Sequence, residues 1–145
     1  MNTDKLDILK VLFDSEEVGD IQSEILPINR ITEKIIGCSY TVSNALGCGF
    51  LEKVYENSLA HELRKAGLKV LQQYPIKVFY DNILVGEYIA DLFVENSVVV
   101  EIKTNKGLEE SQISQCLNYL KATGNKIGLL INFGKPKVEI KRVAL

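Results

Sequence analysis

Val98-Val99-Val100-Glu101-Ile102-Lys103 is the stretch that decides how this chain folds. Its run of β-branched apolar residues is too hydrophobic for a surface strand and points to one buried on both faces. Side chains alternate along a strand, so Glu101 and Lys103 point the same way. Upstream, Ala90-Asp91-Leu92-Phe93-Val94 sets one acid in a similar apolar run. If the two segments form a hairpin, the parity of the connecting loop decides what meets. An odd loop such as Glu95-Asn96-Ser97 brings Asp91 opposite Glu101 on one face, with Cβ atoms ~4.5–5.5 Å apart. An even loop places them on opposite faces. Two adjacent carboxylates repel, and a divalent cation between them relieves that cost. Carboxylate oxygens with water suit Mg²⁺ or Mn²⁺. Two acids and a lysine converging from a hairpin suggest metal-assisted phosphodiester hydrolysis. Asp91 and Glu101 then hold the ion, and Lys103 orients water or offsets developing negative charge. The alternative is a Glu101–Lys103 pair that merely closes a cross-strand network.

Working outward, Ile83–Val94 is the strand before this one, and Asp81-Asn82 is a two-residue hairpin turn back to Lys69–Tyr80. Pro75 marks that first strand as an edge or a bulge. Asn105–Gly107 is a loop, Glu109–Thr123 a helix, and Lys126–Phe133 and Lys137–Val143 are the closing strands. Two helices come earlier, Thr32–Leu46 and Leu51–Ala66. Gly47, Gly67 and Gly124 supply the helix stops. The order is α-α-β-β-β-α-β-β, with no internal repeat. Residues 4–13 suit a short amphipathic helix, and the acidic stretch 14–28, ending near Pro27, suits a linker. The division expected is therefore a peripheral acidic segment over 1–28 and a catalytic-type domain over 29–145.

Two helices add candidate residues. On a wheel of 100° per residue, Tyr55, Leu59, Leu63 and Ala66 form the apolar stripe of Leu51–Ala66. Glu52 and Glu56 fall inside that stripe, while His61 falls opposite. A buried carboxylate without a partner is costly, so a cation should meet at least one of them. In Glu109–Thr123, Ile113, Leu117 and Leu120 face the core. Gln112, Gln115 and Tyr119 make a polar stripe beside Cys116, placed to contact a phosphate or a base, or to form a solvated flank.

Composition narrows the classes. The chain has 145 residues, 46% hydrophobic and 25% charged, which suits one soluble domain. No apolar run approaches the ~20 residues of a membrane span. The opening MNTDKLDILK lacks a basic region followed by an apolar one, so the cytoplasm is the expected compartment. Cys38, Cys48 and Cys116 are widely spaced and His61 is the lone histidine, so no zinc site is expected and the thiols should be reduced and mostly packed. Gly47-Cys-Gly49 lacks the third glycine of a dinucleotide loop, and His61-Glu62 lacks the second histidine of a zinc-protease helix. Lys5 and Lys10 stand against Asp4, Asp7, Asp14, Glu16, Glu17, Asp20 and Glu24, so residues 1–28 carry −5 and the rest +3. An overall isoelectric point near 5.5 argues against strong non-specific nucleic-acid binding but leaves room for a basic groove.

From about Ile31 to Val143 the chain resembles the PD-(D/E)XK nuclease superfamily, and within it the small bacterial GxxExxY proteins. Gly49-Phe-Leu-Glu52-Lys-Val-Tyr55 stands as the naming motif, Asp91 with Glu101-Ile-Lys103 as the core signature. Gln115-Cys-Leu-Asn-Tyr119 is similar to the Q-x-x-x-Y motif of RecB-like members, and Gly128-Leu-Leu-Ile-Asn-Phe-Gly134 to the closing strand. Ala90 stands where a proline often precedes the first acid. The resemblance implies an α/β (α+β) restriction-endonuclease-like core, a mixed sheet flanked by helices in α-β-β-β-α-β order. It implies Mg²⁺ or Mn²⁺ held by Glu52, Asp91, Glu101 and the Ile102 carbonyl, with Lys103 as catalytic lysine. Tyr55, Glu56, Gln115 and Tyr119 would support the site or the substrate. The expected partner is nucleic acid, DNA ahead of RNA, with no membrane and with a homodimer by analogy to small superfamily members. The competing expectation is a non-catalytic protein that keeps the fold as a nucleic-acid- or protein-binding module.

Overall fold

The computed structural model describes residues 15–145, with side chains described from Ile28 onward. Its elements are α1 (Ser15–Leu46), α2 (Glu52–Lys65), β1 (Val70–Tyr80), β2 (Ile83–Val94), β3 (Val98–Lys103), α3 (Glu110–Thr123), β4 (Ile127–Asn132) and β5 (Glu139–Ala144). The order matches the expectation and the boundaries lie within a few residues, except at the front. The helix expected over 4–13 falls outside the described residues. Where a linker was expected up to residue 28, α1 is already helical from Ser15. Glu16, Glu17, Gln22, Glu24 and Leu26 are good helix formers, and that propensity carries past Pro27. Acidic composition alone is therefore no linker signal, and no end of secondary structure marks residue 28.

The five strands form one sheet in the order β1-β2-β3-β4-β5. β1–β2, β2–β3 and β4–β5 are antiparallel, and β3–β4 is parallel, with α3 as the crossover. Each face carries its own core. Against α1 and α2 lie Leu92, Val94, Val98, Val100, Ile102, Leu129 and Ile131, packed on Ile35, Leu59 and Leu63. Against α3 lie Ile76, Ala90, Phe93, Val99 and Leu130, packed on Cys116 and Leu120. β3 and β4 are buried throughout apart from Lys103, as central strands covered on both faces must be. The β1–β2 turn has Asp81 and Asn82 both at positive φ (53° and 62°), the geometry a two-residue hairpin needs.

Alternation fails at one level of the sheet. Ala90 and Phe93 face α3, yet Leu92 and Val94 face α1 and α2, so the β2 pattern breaks at Asp91. On β1, Val70 belongs to the first core and Ile76 to the second, and Gln73 between them has φ 54°. The paired register skips from Gln72–Leu92 to Tyr74–Ala90, so the two irregular residues stand opposite each other. Such irregularities re-aim side chains.

Two contacts hold the loops around this level. Tyr55 is fully buried, stacks on Phe133 at 4.7 Å, and donates its hydroxyl to the Gly47 carbonyl at 2.7 Å. The Phe50 amide donates back to the same hydroxyl at 3.3 Å, so Tyr55 pins the α1–α2 turn. At the far end of β3, Gly134 lies directly on the main chain of Thr104 and Asn105, where a Cβ would overlap backbone atoms. Backbone yields less readily than a side chain, so Gly134→Ala should cost about 1–3 kcal/mol of stability. Urea unfolding would read this as a lower midpoint, and an unchanged midpoint would contradict the close approach.

Candidate active site

The break at Asp91 builds the site. Ladder pairing between β2 and β3 runs through Val94–Val98, Phe93–Val99 and Leu92–Val100, so the loop of residues 95–97 is odd and Asp91 comes next to Glu101. There the carboxylates enter the hydrogen bonding. Asp91 Oδ2 accepts from the Ile102 amide at 2.7 Å, and Glu101 Oε1 accepts from the Asp91 amide at 3.2 Å. Each acid is thereby anchored to the strand that carries the other. Glu101 is only 6% exposed. Burial first, then the charge of Asp91, pushes its carboxyl up to about 8. Asp91 is also raised, chiefly by burial and further by Glu56, against the lowering effects of the Ile102 amide and of Lys103. Lys103 lies one turn of the pleat beyond Glu101 and favours the ionised form of both acids.

From α2 come two further acids, and the structure separates them. Glu56 is buried, as the wheel predicts, and meets the expected cation: Lys53 Nζ lies 3.1 Å from Oε1. It also accepts from Gln73 Nε2 at 2.6 Å and from Gln72 Nε2 at 2.7 Å. Glu52, placed in the apolar stripe by the same wheel, is instead exposed at the first turn of α2. It lines a cleft of about 250 Å³ together with Lys53, Glu56, Gln73, Asp91 and Ile102, and its charge reaches Glu101. The stripe ends before Glu52 because Leu51 and Phe50 beside it are also exposed. Tyr55 is enclosed by the α1–α2 turn and supports it rather than facing the cleft.

On the other side of the sheet, Tyr119 is buried beneath Tyr88, with ring centroids 5.5 Å apart. Burial, then Glu101 and Asp91, pushes its phenol up to about 12. Tyr119 therefore keeps its phenol proton at neutral pH and is not a base. Gln115 is exposed, and lines a groove with Tyr119 away from the acid cleft. Gln112 is committed to the N-terminal capping box of α3 with Glu109. Cys116 is buried and pushed up to about 12, chiefly by burial, so it stays a thiol. Cys38 is half-buried and Cys48 exposed, so only one of the three thiols is packed as expected.

Sequence reasoning missed Gln73, Gln72 and Asn132. Asn132 is fully buried at the end of β4, accepting from the Asn105 and Gly134 amides and donating to the Asn105 carbonyl. With the Phe133 amide bonded to the Lys103 carbonyl at 2.8 Å, this fixes the chain just after Lys103. Its signal was legible, a lone amide in an apolar strand, the same anomaly that marks Asp91 and Glu101. The glutamines have no such signal, since β1 alternates exposed and buried positions around them.

The donor set fits a hard divalent ion. Two carboxylates are crowded where burial opposes their charge, and a cation is what such a pair lacks. Among the described residues, no three His, Cys, Asp or Glu side chains form a ready-made cage. The fit is to an open site of two carboxylates that leaves positions for water and phosphate, as Mg²⁺ commonly takes.

Comparison with known proteins bears on the fold and the family. Among solved structures, SSO0001 superposes with a TM-score of 0.51 at 16% identity, covering 63% of this chain and 50% of that one. An alkaline exonuclease, LHK-Exo from Laribacter hongkongensis, gives a TM-score of 0.49 at 14% identity over 63% of this chain and 55% of that one. The chain thus spans about half the length of either. Among curated proteins none matches significantly. No helix among the described residues is long and apolar enough to cross a membrane. The sequence model of one family matches residues 29–143, a span that takes in Asp91, Glu101, Lys103 and every element that positions them, and the chain belongs to the PD-(D/E)XK nuclease superfamily.

Proposed function

We propose that this chain is a nuclease of the GxxExxY group that hydrolyses phosphodiester bonds in DNA with Mg²⁺ or Mn²⁺. The observation that carries the proposal is the Asp91–Glu101 pair, cross-anchored at the break in the sheet with Lys103 beyond it. Asp91 and Glu101 hold the ion, with Glu52 and the Ile102 carbonyl as the further ligands. When bound, the ion supplies positive charge for the phosphate and acidity for a water. Lys103 orients the attacking water and offsets charge developing on the phosphate oxygens. Gln73, held by Glu56, lies beside Asp91 in the cleft and lowers its proton affinity, so Glu56 acts on Asp91 through Gln73. Asn132 keeps the Lys103 end of β3 in register with β4.

Cleavage of DNA in Mn²⁺ tests the proposal. Asp91→Ala should abolish cleavage, and Lys103→Ala should slow it about 10²–10³-fold. Wild-type protein that binds DNA without metal-dependent cleavage would favour the non-catalytic alternative.

The dyad also predicts a pH signature in metal-free protein. Glu101 moves from an ordinary 4.5 to about 8 on folding. Between those values the folded chain retains a proton that the unfolded chain has lost, so stability falls as pH rises. In a chelator the melting temperature should decline from pH 5 to pH 8, and Glu101→Gln should flatten the decline. A flat wild-type profile would show that burial and Asp91 do not hold a proton on Glu101.

A further inference from the structure

A groove of about 980 Å³, roomier than the acid cleft, lies between the β1–β2 hairpin and α3. One wall is aromatic: Phe79 is 60% exposed and Tyr88 49% exposed, with Tyr88 leaning on Tyr119. The other wall is a stripe of α3 in which Ser111, Gln115 and Asn118 recur at helical spacing. That stripe extends from Ser111 to Ala122, a length of about 16 Å at 1.5 Å per residue. Lys77 and Lys121 complete the lining, which contains no carboxylate in a chain with 19 of them. Tyr119 joins the groove to the dyad, since its hydroxyl feels the charges of Glu101 and Asp91.

We propose that this groove holds single-stranded nucleic acid, with bases stacked on Tyr88 and Phe79 and base edges bonded by Gln115 and Asn118. The inference names the substrate form of the proposed nuclease and rests on that reading. Exposed ring faces serve unpaired bases, because a duplex hides its base faces in the stack. Duplex binding by charge draws on several phosphate contacts, and this lining offers two lysines. A protein partner would match the apolar hairpin but not the amide and hydroxyl wall facing it.

Binding measured in chelator, without cleavage, tests the groove apart from the chemistry. Fluorescein-labelled oligonucleotides, single-stranded and duplex of the same sequence, would be titrated with full-length protein and followed by anisotropy. The single strand should bind about tenfold or more tightly than the duplex. Tyr88→Ala should weaken single-strand binding by about tenfold, the scale of one lost stacking contact, while Tyr88→Phe retains it. Phe79→Ala should weaken it as well. Duplex preference, or Tyr88→Ala binding like wild type, would overturn the inference. So would sedimentation showing that Tyr88→Ala and Phe79→Ala split a dimer while leaving nucleic-acid binding intact. Cleavage with intact Tyr88→Ala binding sinks the groove and spares the nuclease. Stacking-dependent binding without cleavage does the reverse.

Discussion

Everything at the site depends on one departure from regular β-structure. Beyond Leu92–Val100 the Ile102 amide bonds the Asp91 side chain, and the Asp91 amide bonds the Glu101 side chain. Backbone donors that would be orphaned by the opening are satisfied, which buried amides require. The same bonds tie the two acids together, Glu101 buried and Asp91 half-buried at the edge of the cleft. The irregular positions Gln73 and Asp91 let the sheet tolerate this, because the face each strand presents switches at that level.

The surrounding fold stabilises this arrangement in layers. β3 and β4, covered on both faces, form a rigid base, and Asn132 with Gly134 fastens the chain that leaves Lys103. On one side Glu56, neutralised by Lys53, holds Gln73 against Asp91. On the other, Cys116 and Tyr119 feel the charge of Glu101, stay protonated and add no charge. Glu101 is thus buried while Asp91 opens onto the polar cleft, and Lys103 is a cation that acts on both members.

Much of this was legible in the sequence, for physical reasons that vary by residue. The apolar run around Glu101 marked a buried strand, but polarity alone left an odd and an even loop equally open, and the observed ladder makes the loop 95–97 odd. Helix and strand order followed from glycine stops and the Asp81-Asn82 turn. Glu56 followed from the helix wheel. Glu52 did not behave as the wheel implied, since periodicity says which face a residue occupies but not where along the helix the core ends. Gln73 was hidden because its role comes from a positive φ on an edge strand, which no pattern of polarity encodes. The front of α1 was hidden by Pro27 and by acidic composition, both weak signals beside helix propensity. Of the groove only the polar stripe of α3 was legible, since Phe79 and Tyr88 become its neighbours only in the folded chain.

The central claim is that Asp91 and Glu101 share a divalent ion. Calorimetric titration of the full-length protein with Mn²⁺ tests it most directly. Saturable binding that disappears in Asp91→Ala and in Glu101→Gln is the predicted result. No heat of binding in the wild type, or binding untouched by both substitutions, would contradict it.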